Sequence, residues 1–279
     1  MGSTCRLRRE PQASLTARRE RPCRQRLGIP IGCHHETSGD GMGNSGAVAG
    51  RVMARRIGPR RSGRPQEIRN PLFARVYDHV LSRGESARMV GYRQQLLEGL
   101  AGKVIEIGPG NGPNFPHYPS AVAEVVAVEP EPYLRARAQR AAHQARSQVS
   151  VIDGDADHLP AENASVDAVV VCQVLCSVPD QTGALREILR VLKPGGQLRV
   201  FEHVDAEHPL AHTLLKAAEV TFWRRAFGNC HPTRDTLTAI SQAGFDTRAV
   251  RRFVMQAGPA EPPLPYIHGT ALAPSQRHG

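Results

Sequence analysis

The sequence predicts an α/β fold, a seven-stranded, mostly parallel sheet with helices on both faces, preceded by a disordered N-terminal leader. Three observations predict it. Short runs that are apolar on both faces alternate with segments of helical periodicity, the pattern of strands covered on both sides by crossover helices. The first of these runs opens directly into a glycine-rich turn, Gly108-Pro109-Gly110-Asn111-Gly112. The composition also shifts near residue 68, from a stretch rich in Arg, Gly, Pro and Ser to an ordinary globular texture.

Residues 1–68 hold 14 of the 36 basic residues and 5 of the 26 acidic ones, so nine of the ten net positive charges belong to them. A segment of this composition does not bury enough apolar surface to offset its ordering entropy, and it is expected to be disordered. Three readings of it stand side by side: a basic tail for nucleic acid or anionic lipid, an Arg-rich targeting segment, or upstream sequence ahead of an internal start at Met42 or Met53. The last is preferred. Only three of the basic residues are lysine (Lys103, Lys193 and Lys216), a skew that points to a GC-rich coding bias as much as to phosphate binding. The remaining body, 69–279, is close to neutral, which argues against a nucleic-acid partner.

The N-terminus has charge but no apolar core of a signal peptide. No run approaches the roughly 18 apolar residues of a membrane span. The setting expected is therefore the cytoplasm, where the six cysteines form no disulfide framework. None of them is spaced as CxxC, so no zinc ribbon and no metal site are expected.

Along the body, Asn70-Pro71-Leu72-Phe73 opens the ordered region, and 87–100 reads as an amphipathic helix stopped by Gly102. Strands follow at 104–107, 125–128, 149–153, 166–172 and 197–202, with helices over 132–146 and 182–192. The second of these helices ends on Lys193-Pro194-Gly195-Gly196. A helical stretch at 209–227, a helix from the cap Thr233 to Gly244, and two strands at 247–255 and 266–273 complete the domain.

The turn carries the chemistry. In open α/β sheets ligands sit at the carboxyl ends of strands, near the first strand-to-helix turn, and glycines there let the backbone approach a ligand closely. The spacing is G-x-G-x-G, with Pro113 next, and Glu106 stands two residues before the first glycine. A pyrophosphate would be opposed by that carboxylate, whereas a ligand with an ammonium group and a sulfonium would suit it. Val125-Val126-Ala127-Val128 then ends on Glu129, placed to take both hydroxyls of a ribose. Alone, Glu129 reads as a solvated helix-entry residue; paired with the turn, the ribose role gains weight.

These residues resemble the class I S-adenosylmethionine-dependent methyltransferases, of the type 11 domain, whose Rossmann-like fold and cofactor the resemblance implies here. Gly154-Asp155-Ala156-Asp157-His158-Leu159-Pro160 resembles the family's adenine loop, which gives Asp155 the adenine amino group and Ala156 the ring, against the alternative of a self-capped turn. Residues 165–172 and 192–196 resemble its fourth strand and the turn before its fifth. The resemblance further implies cofactor contacts at Tyr77, Pro130, Cys172 and Gln173. More narrowly, Asn114-Phe115-Pro116-His117-Tyr118-Pro119, Cys172-Gln173-Val174-Leu175-Cys176-Ser177-Val178, Phe201-Glu202-His203-Val204, Asn229-Cys230-His231-Pro232-Thr233-Arg234-Asp235 and Tyr266-Ile267-His268-Gly269 are similar to the alkyl-thiol methyltransferase group and its bacterial relatives. Animal members carry an apolar N-terminal anchor where this chain has its Arg-rich leader, which leaves peripheral membrane contact open.

The implied reaction is methyl transfer to a small, lipophilic acceptor such as a thiol. Alternatives are a quinone or phospholipid methyltransferase, or a cofactor-binding protein without turnover. An acceptor that must lose a proton calls for a base near neutral pH; His203 is the first candidate and His231 the second, each against a structural histidine. The stretch 210–227 reads equally as an apolar lid or a core helix. Cys172, Cys176 and Cys230 match in number the thiols that bind arsenite in arsenic methyltransferases, but two of them lie on or just past an apolar strand, which favours packing.

Overall fold

The computed structural model describes residues 70–82, 84–256 and 263–276, and the leader expected over 1–68 lies outside the described residues. Two helices precede the sheet, α1 (Pro71–Ser82) and α2 (Ala87–Leu97). Ser86 caps α2 by accepting the Met89 N–H at 3.3 Å. The helical pattern of the sequence continues to Leu100, yet α2 stops at Leu97, because Gly99 takes a left-handed φ of +73° that turns the chain away.

The strands are β1 (Gly102–Ile107), β2 (Val122–Val128), β3 (Val149–Ile152), β4 (Val166–Cys172), β5 (Leu192–His203), β6 (Asp246–Met255) and β7 (Leu264–Leu272). They lie in the order β3-β2-β1-β4-β5-β7-β6. The first five pair in parallel, and β7 enters antiparallel between β5 and β6. The chain therefore works outward from β1 to β3, then returns to lay β4 on the other side of β1. That reversal opens a crevice at the carboxyl ends of β1 and β4, where open sheets of this kind bind ligands.

Residue parity places two cores. On β4, Val169 and Val171 face one side with Ile105, Leu198, Leu185, Ile188 and Ile240. Ala168 and Val170 face the other, with Val125, Leu96, Leu97 and Phe201. Each fully buried aliphatic side chain contributes about 1.5–3 kcal/mol, so a strand apolar at every position is stabilised from both faces. Helices α4 (Gln181–Val191) and α7 (Thr236–Gln242) cover the first face, and α2, α3 (Pro132–Ala142) and α5 (Pro209–Ala218) cover the second, with the short α6 (Arg224–Ala226) following α5.

Several boundaries differ from the sequence expectation. β2 starts three residues earlier, at Val122. α3 gives way after Ala142 to tighter turns, in which Gln144 and Ala145 bond to the carbonyls three residues back. β5 begins at Leu192, which pairs with Val166, and 193–196 bulge out before Gln197 meets Ala168. The stretch 209–227 is not one regular helix: a π-helical turn, Glu219–Trp223, separates α5 from α6. The cap of α7 is Asp235, whose carboxylate accepts the Thr238 N–H, rather than Thr233. Among the described residues no helix is long and apolar enough to cross a membrane.

Candidate functional site

β1 ends at Ile107 and the chain turns through three left-handed glycines, Gly108 (φ +61°), Gly110 (+61°) and Gly112 (+90°). A Cβ at Gly108 would lie 2.4 Å from a methyl of Val174, and one at Gly110 would lie 3.0 Å from the ring of Tyr77. The turn is thus both left-handed and closely overlaid, and only glycine meets both demands.

Glu129, the first residue after β2, closes the turn from beside it. One carboxylate oxygen accepts the Gly110 N–H at 2.9 Å and the other accepts the Glu131 N–H at 3.0 Å. Burial raises its pKa to about 7 against the lowering by those two backbone bonds. Pro130 follows half-buried, and Arg135 clamps the strand end by donating to the carbonyls of Glu129 and Pro130.

Glu106 points beneath the turn, 1% exposed. Its oxygens accept from Asn114 Nδ2 and Tyr118 Oη, each at 2.8 Å. Asn114 in turn accepts from Arg93, which also donates to Cys172 Sγ at 3.1 Å and makes a bidentate pair with Glu85. The sequence reading suits Glu106 to a ligand bringing an ammonium group and a sulfonium; in the structure both of its oxygens also hold the 114–118 loop. Burial pushes its pKa up, opposed by those hydrogen bonds and by Arg93. Arg93 gives no signal in the sequence, where it reads as an ordinary exposed residue of α2.

Tyr77 reaches Gly110 from α1, and the neighbouring Asp78 fixes that helix in place. The Asp78 carboxylate accepts from Asn111 Nδ2, Arg137 Nε and Tyr133 Oη, all at 3.0 Å. Burial opposes its ionisation, but those donors hold its pKa below the usual carboxylate range. The sequence reading does not single out Asp78, because its partners lie 33 to 59 residues away.

On the other side of the turn, Cys172 ends β4 and Gln173 takes a left-handed φ of +59°, an unfavourable conformation for a residue with a side chain. The segment after it is held by Glu202 of β5, whose one oxygen accepts the N–H groups of Val174 and Leu175. In the expected adenine loop Ala156 is buried, and Asp155 accepts the Asp157 N–H at 3.1 Å. That bond is the self-capped alternative, and it leaves Asp155 with a second oxygen. The left-handed turn under Tyr77, the carboxylate beside it and the small residue of the 154–160 loop all suit S-adenosylmethionine, which brings ribose hydroxyls and an adenine but no phosphate.

The two histidines occupy different settings. His203 ends β5, buried, with Nε2 at 2.7 Å from Cys230 Sγ. His231 turns Nδ1 to Glu219 Oε1 at 3.2 Å, and burial holds its pKa below the usual histidine value. Although burial opposes it, hydrogen bonds from Thr233, Lys216 and His231 bring Glu219 down to about 2. The π-helical turn carries the two buried residues Glu219 and Trp223, while Leu210 and Leu214 of α5 stay exposed. The core reading of this stretch fits Trp223, with Leu215 and Ala218 packed partly buried against the same core.

The three cysteines of the body separate. Cys172 bonds to Arg93, whereas Cys176 and Cys230 meet His203, with all three donor atoms within 4.8 Å of one another. A cleft of about 680 Å³ between Gln94, Tyr118 and Gln148 lies by the amino ends of β2 and β3, and another of about 480 Å³ lies between Tyr92, Phe253 and His268. Neither holds a residue of the expected site.

A family described as a methyltransferase domain matches residues 105–200, from within β1 to within β5. The human thiol S-methyltransferase TMT1A is 34% identical over 157 residues, covering 54% of this chain and 64% of that protein. The match thus spans less than two thirds of that relative. Human thiol S-methyltransferase TMT1B is 31% identical over 184 residues, covering 63% of this chain and 73% of its own. An S-adenosylmethionine-dependent methyltransferase from Thermotoga maritima shares the fold with a TM-score of 0.53 at 23% identity, over 72% of this chain and 97% of that one. With the glycine turn inside the matched domain and a relative aligned over most of its length, the chain belongs to the class I S-adenosylmethionine-dependent methyltransferases.

Proposed function

We propose that this chain transfers the methyl group of S-adenosylmethionine to a small, lipophilic acceptor, a thiol foremost. The observation that carries the reading is the Gly110 N–H held at 2.9 Å by the Glu129 carboxylate, because it joins the left-handed turn to an acidic side chain at the switch point of the sheet. Likeness to thiol S-methyltransferases supports the acceptor class. The body, 69–279, is the catalytic domain in this reading, and 1–68 a leader it does not need. A cytoplasmic setting is part of the same reading.

When bound, the cofactor supplies an electrophilic methyl on sulfur, so the protein's part is to position, desolvate and deprotonate. Glu129 takes the ribose hydroxyls, with Pro130 behind it. Asp155 and Ala156 take the adenine. Tyr77 covers the turn, and Cys172 and Gln173 line the side facing β4. A thiol has a pKa near 8.5, so a base raises the share of thiolate at neutral pH. His231 fits that task better than His203. Its Nδ1 faces Glu219, which leaves Nε2 to take a proton, the arrangement of a base oriented by a carboxylate. His203 has its Nε2 turned to Cys230.

The test is a panel of alkyl thiols, quinones and phospholipids incubated with the full chain and methyl-labelled cofactor, read by mass. Labelled thioether from the thiols is expected. Product from quinones or phospholipids alone would move the acceptor class, and product from none would favour a protein that binds the cofactor without turnover.

A further inference from the structure

We infer that Cys176, His203 and Cys230 form a binding site for a thiophilic divalent cation, with zinc as the best match. The three come from separate segments: the loop after β4, the end of β5, and the turn after α6. All are buried, at 2%, 8% and 5% exposure. Their donor atoms lie within 4.8 Å of one another, and donors around a tetrahedral zinc stand about 3.5–3.8 Å apart. Seating an ion takes only small side-chain shifts, in which His203 Nε2 and Cys230 Sγ open from 2.7 Å while Cys176 Sγ draws in.

The backbone holds the segments together without any ion. The His231 N–H donates to the Cys176 carbonyl at 2.9 Å, and the Cys230 N–H donates to the Phe227 carbonyl at 3.0 Å. Buried cysteine usually packs as a small apolar residue, but that role does not call for an imidazole and a second thiol at the same point. Two sulfurs and one ring nitrogen form a soft donor set with no carboxylate oxygen in it, which selects zinc-like ions over magnesium or calcium. Two thiolates and a neutral imidazole balance a divalent charge inside the protein.

Neighbouring groups resemble the outer shell of such sites. Trp223 Nε1 donates to Cys230 Sγ at 3.2 Å, and the Arg234 guanidinium, tied to the carbonyls of Leu175 and Val178, adds positive charge beside both sulfurs. Three protein donors leave the fourth tetrahedral position to an outside ligand such as water, as in open zinc sites rather than closed structural ones. Binding exchanges thiol protons for the metal and involves no redox change.

The test uses the full-length chain with Cys5, Cys23 and Cys33 changed to serine, so that only the described cysteines remain. Titration with cobalt(II) should raise a thiolate-to-cobalt charge-transfer band that saturates at one metal per chain and is bleached by zinc. Cys176→Ser and Cys230→Ser should abolish or strongly weaken it, and Cys172→Ser should leave it unchanged. Trp223→Phe, which removes an outer-shell donor, should weaken binding about tenfold. X-ray absorption of the zinc-loaded parent needs no site variant and should find two sulfurs in the first shell. A folded parent that gives no charge-transfer band, a first shell without sulfur, or equal loss in Cys172→Ser would each overturn the assignment.

Discussion

Glu129 accepts two backbone N–H groups, and burial still carries its pKa to about 7 from an ordinary 4.5. The folded chain keeps this proton up to about pH 7, where the unfolded chain has released it near 4.5. The folded state therefore binds more protons in that window, and its stability should fall as pH rises from about 4.5 to about 7, then level off. Glu129→Gln should flatten that slope in urea melts taken across the window; an unchanged slope would remove Glu129 as its source. His231 makes the second prediction at this scale. His231→Ala should lower kcat about 100-fold while cofactor affinity stays the same, and added imidazole should restore part of the rate. A variant without imidazole rescue would return His231 to a structural role. The glycines and Glu129 were legible because their chemistry is written within a strand, a turn and the next strand. Arg93, Asp78 and the Cys176–His203–Cys230 cluster were not, because their meaning comes only from partners that the fold brings from distant segments.

Helix α1 is the element that covers the cofactor turn. Its Tyr77 lies over Gly110, and the three hydrogen bonds to Asp78 tie it to Asn111 and to α3. Removing Asp78 strands those donors, at a cost of about 1–3 kcal/mol for a buried group, with the low end expected because Arg137 is partly exposed. Asp78→Ala should thus weaken cofactor affinity roughly tenfold, corresponding to about 1.4 kcal/mol, and speed proteolysis within α1 while the main thermal transition moves little. Unaltered affinity with intact folding would deny α1 this covering role. The sequence places an ordered start near Asn70, but not its docking partner. Likewise its pattern spans 209–227 as one helix, because apolar spacing does not show that a π-helical turn carries the buried Glu219 and Trp223. Helix ends set by a left-handed glycine or a side-chain cap, such as Gly99 and Asp235, move by a few residues for the same local reason.

At the scale of the whole molecule, the sheet follows from parity and topology together. β4 is apolar at nearly every position, and the structure buries Val169 and Val171 on one face and Ala168 and Val170 on the other. The seven strands and their mostly parallel arrangement were readable from that pattern; the early start of β5 was not, since Lys193-Pro194-Gly195-Gly196 reads as a turn even where Leu192 already pairs with Val166. The order β3-β2-β1-β4-β5-β7-β6 then sets the crevice at the carboxyl ends of β1 and β4, beside Gly110 and Glu129. The central claim is that this crevice binds S-adenosylmethionine through the Glu129 carboxylate. Calorimetric titration of the parent chain and of Glu129→Ala with the cofactor tests it most directly. The account predicts saturable one-to-one binding by the parent and at least a tenfold loss, about 1.4 kcal/mol, in a variant that remains folded. Equal affinity in the two proteins would contradict it.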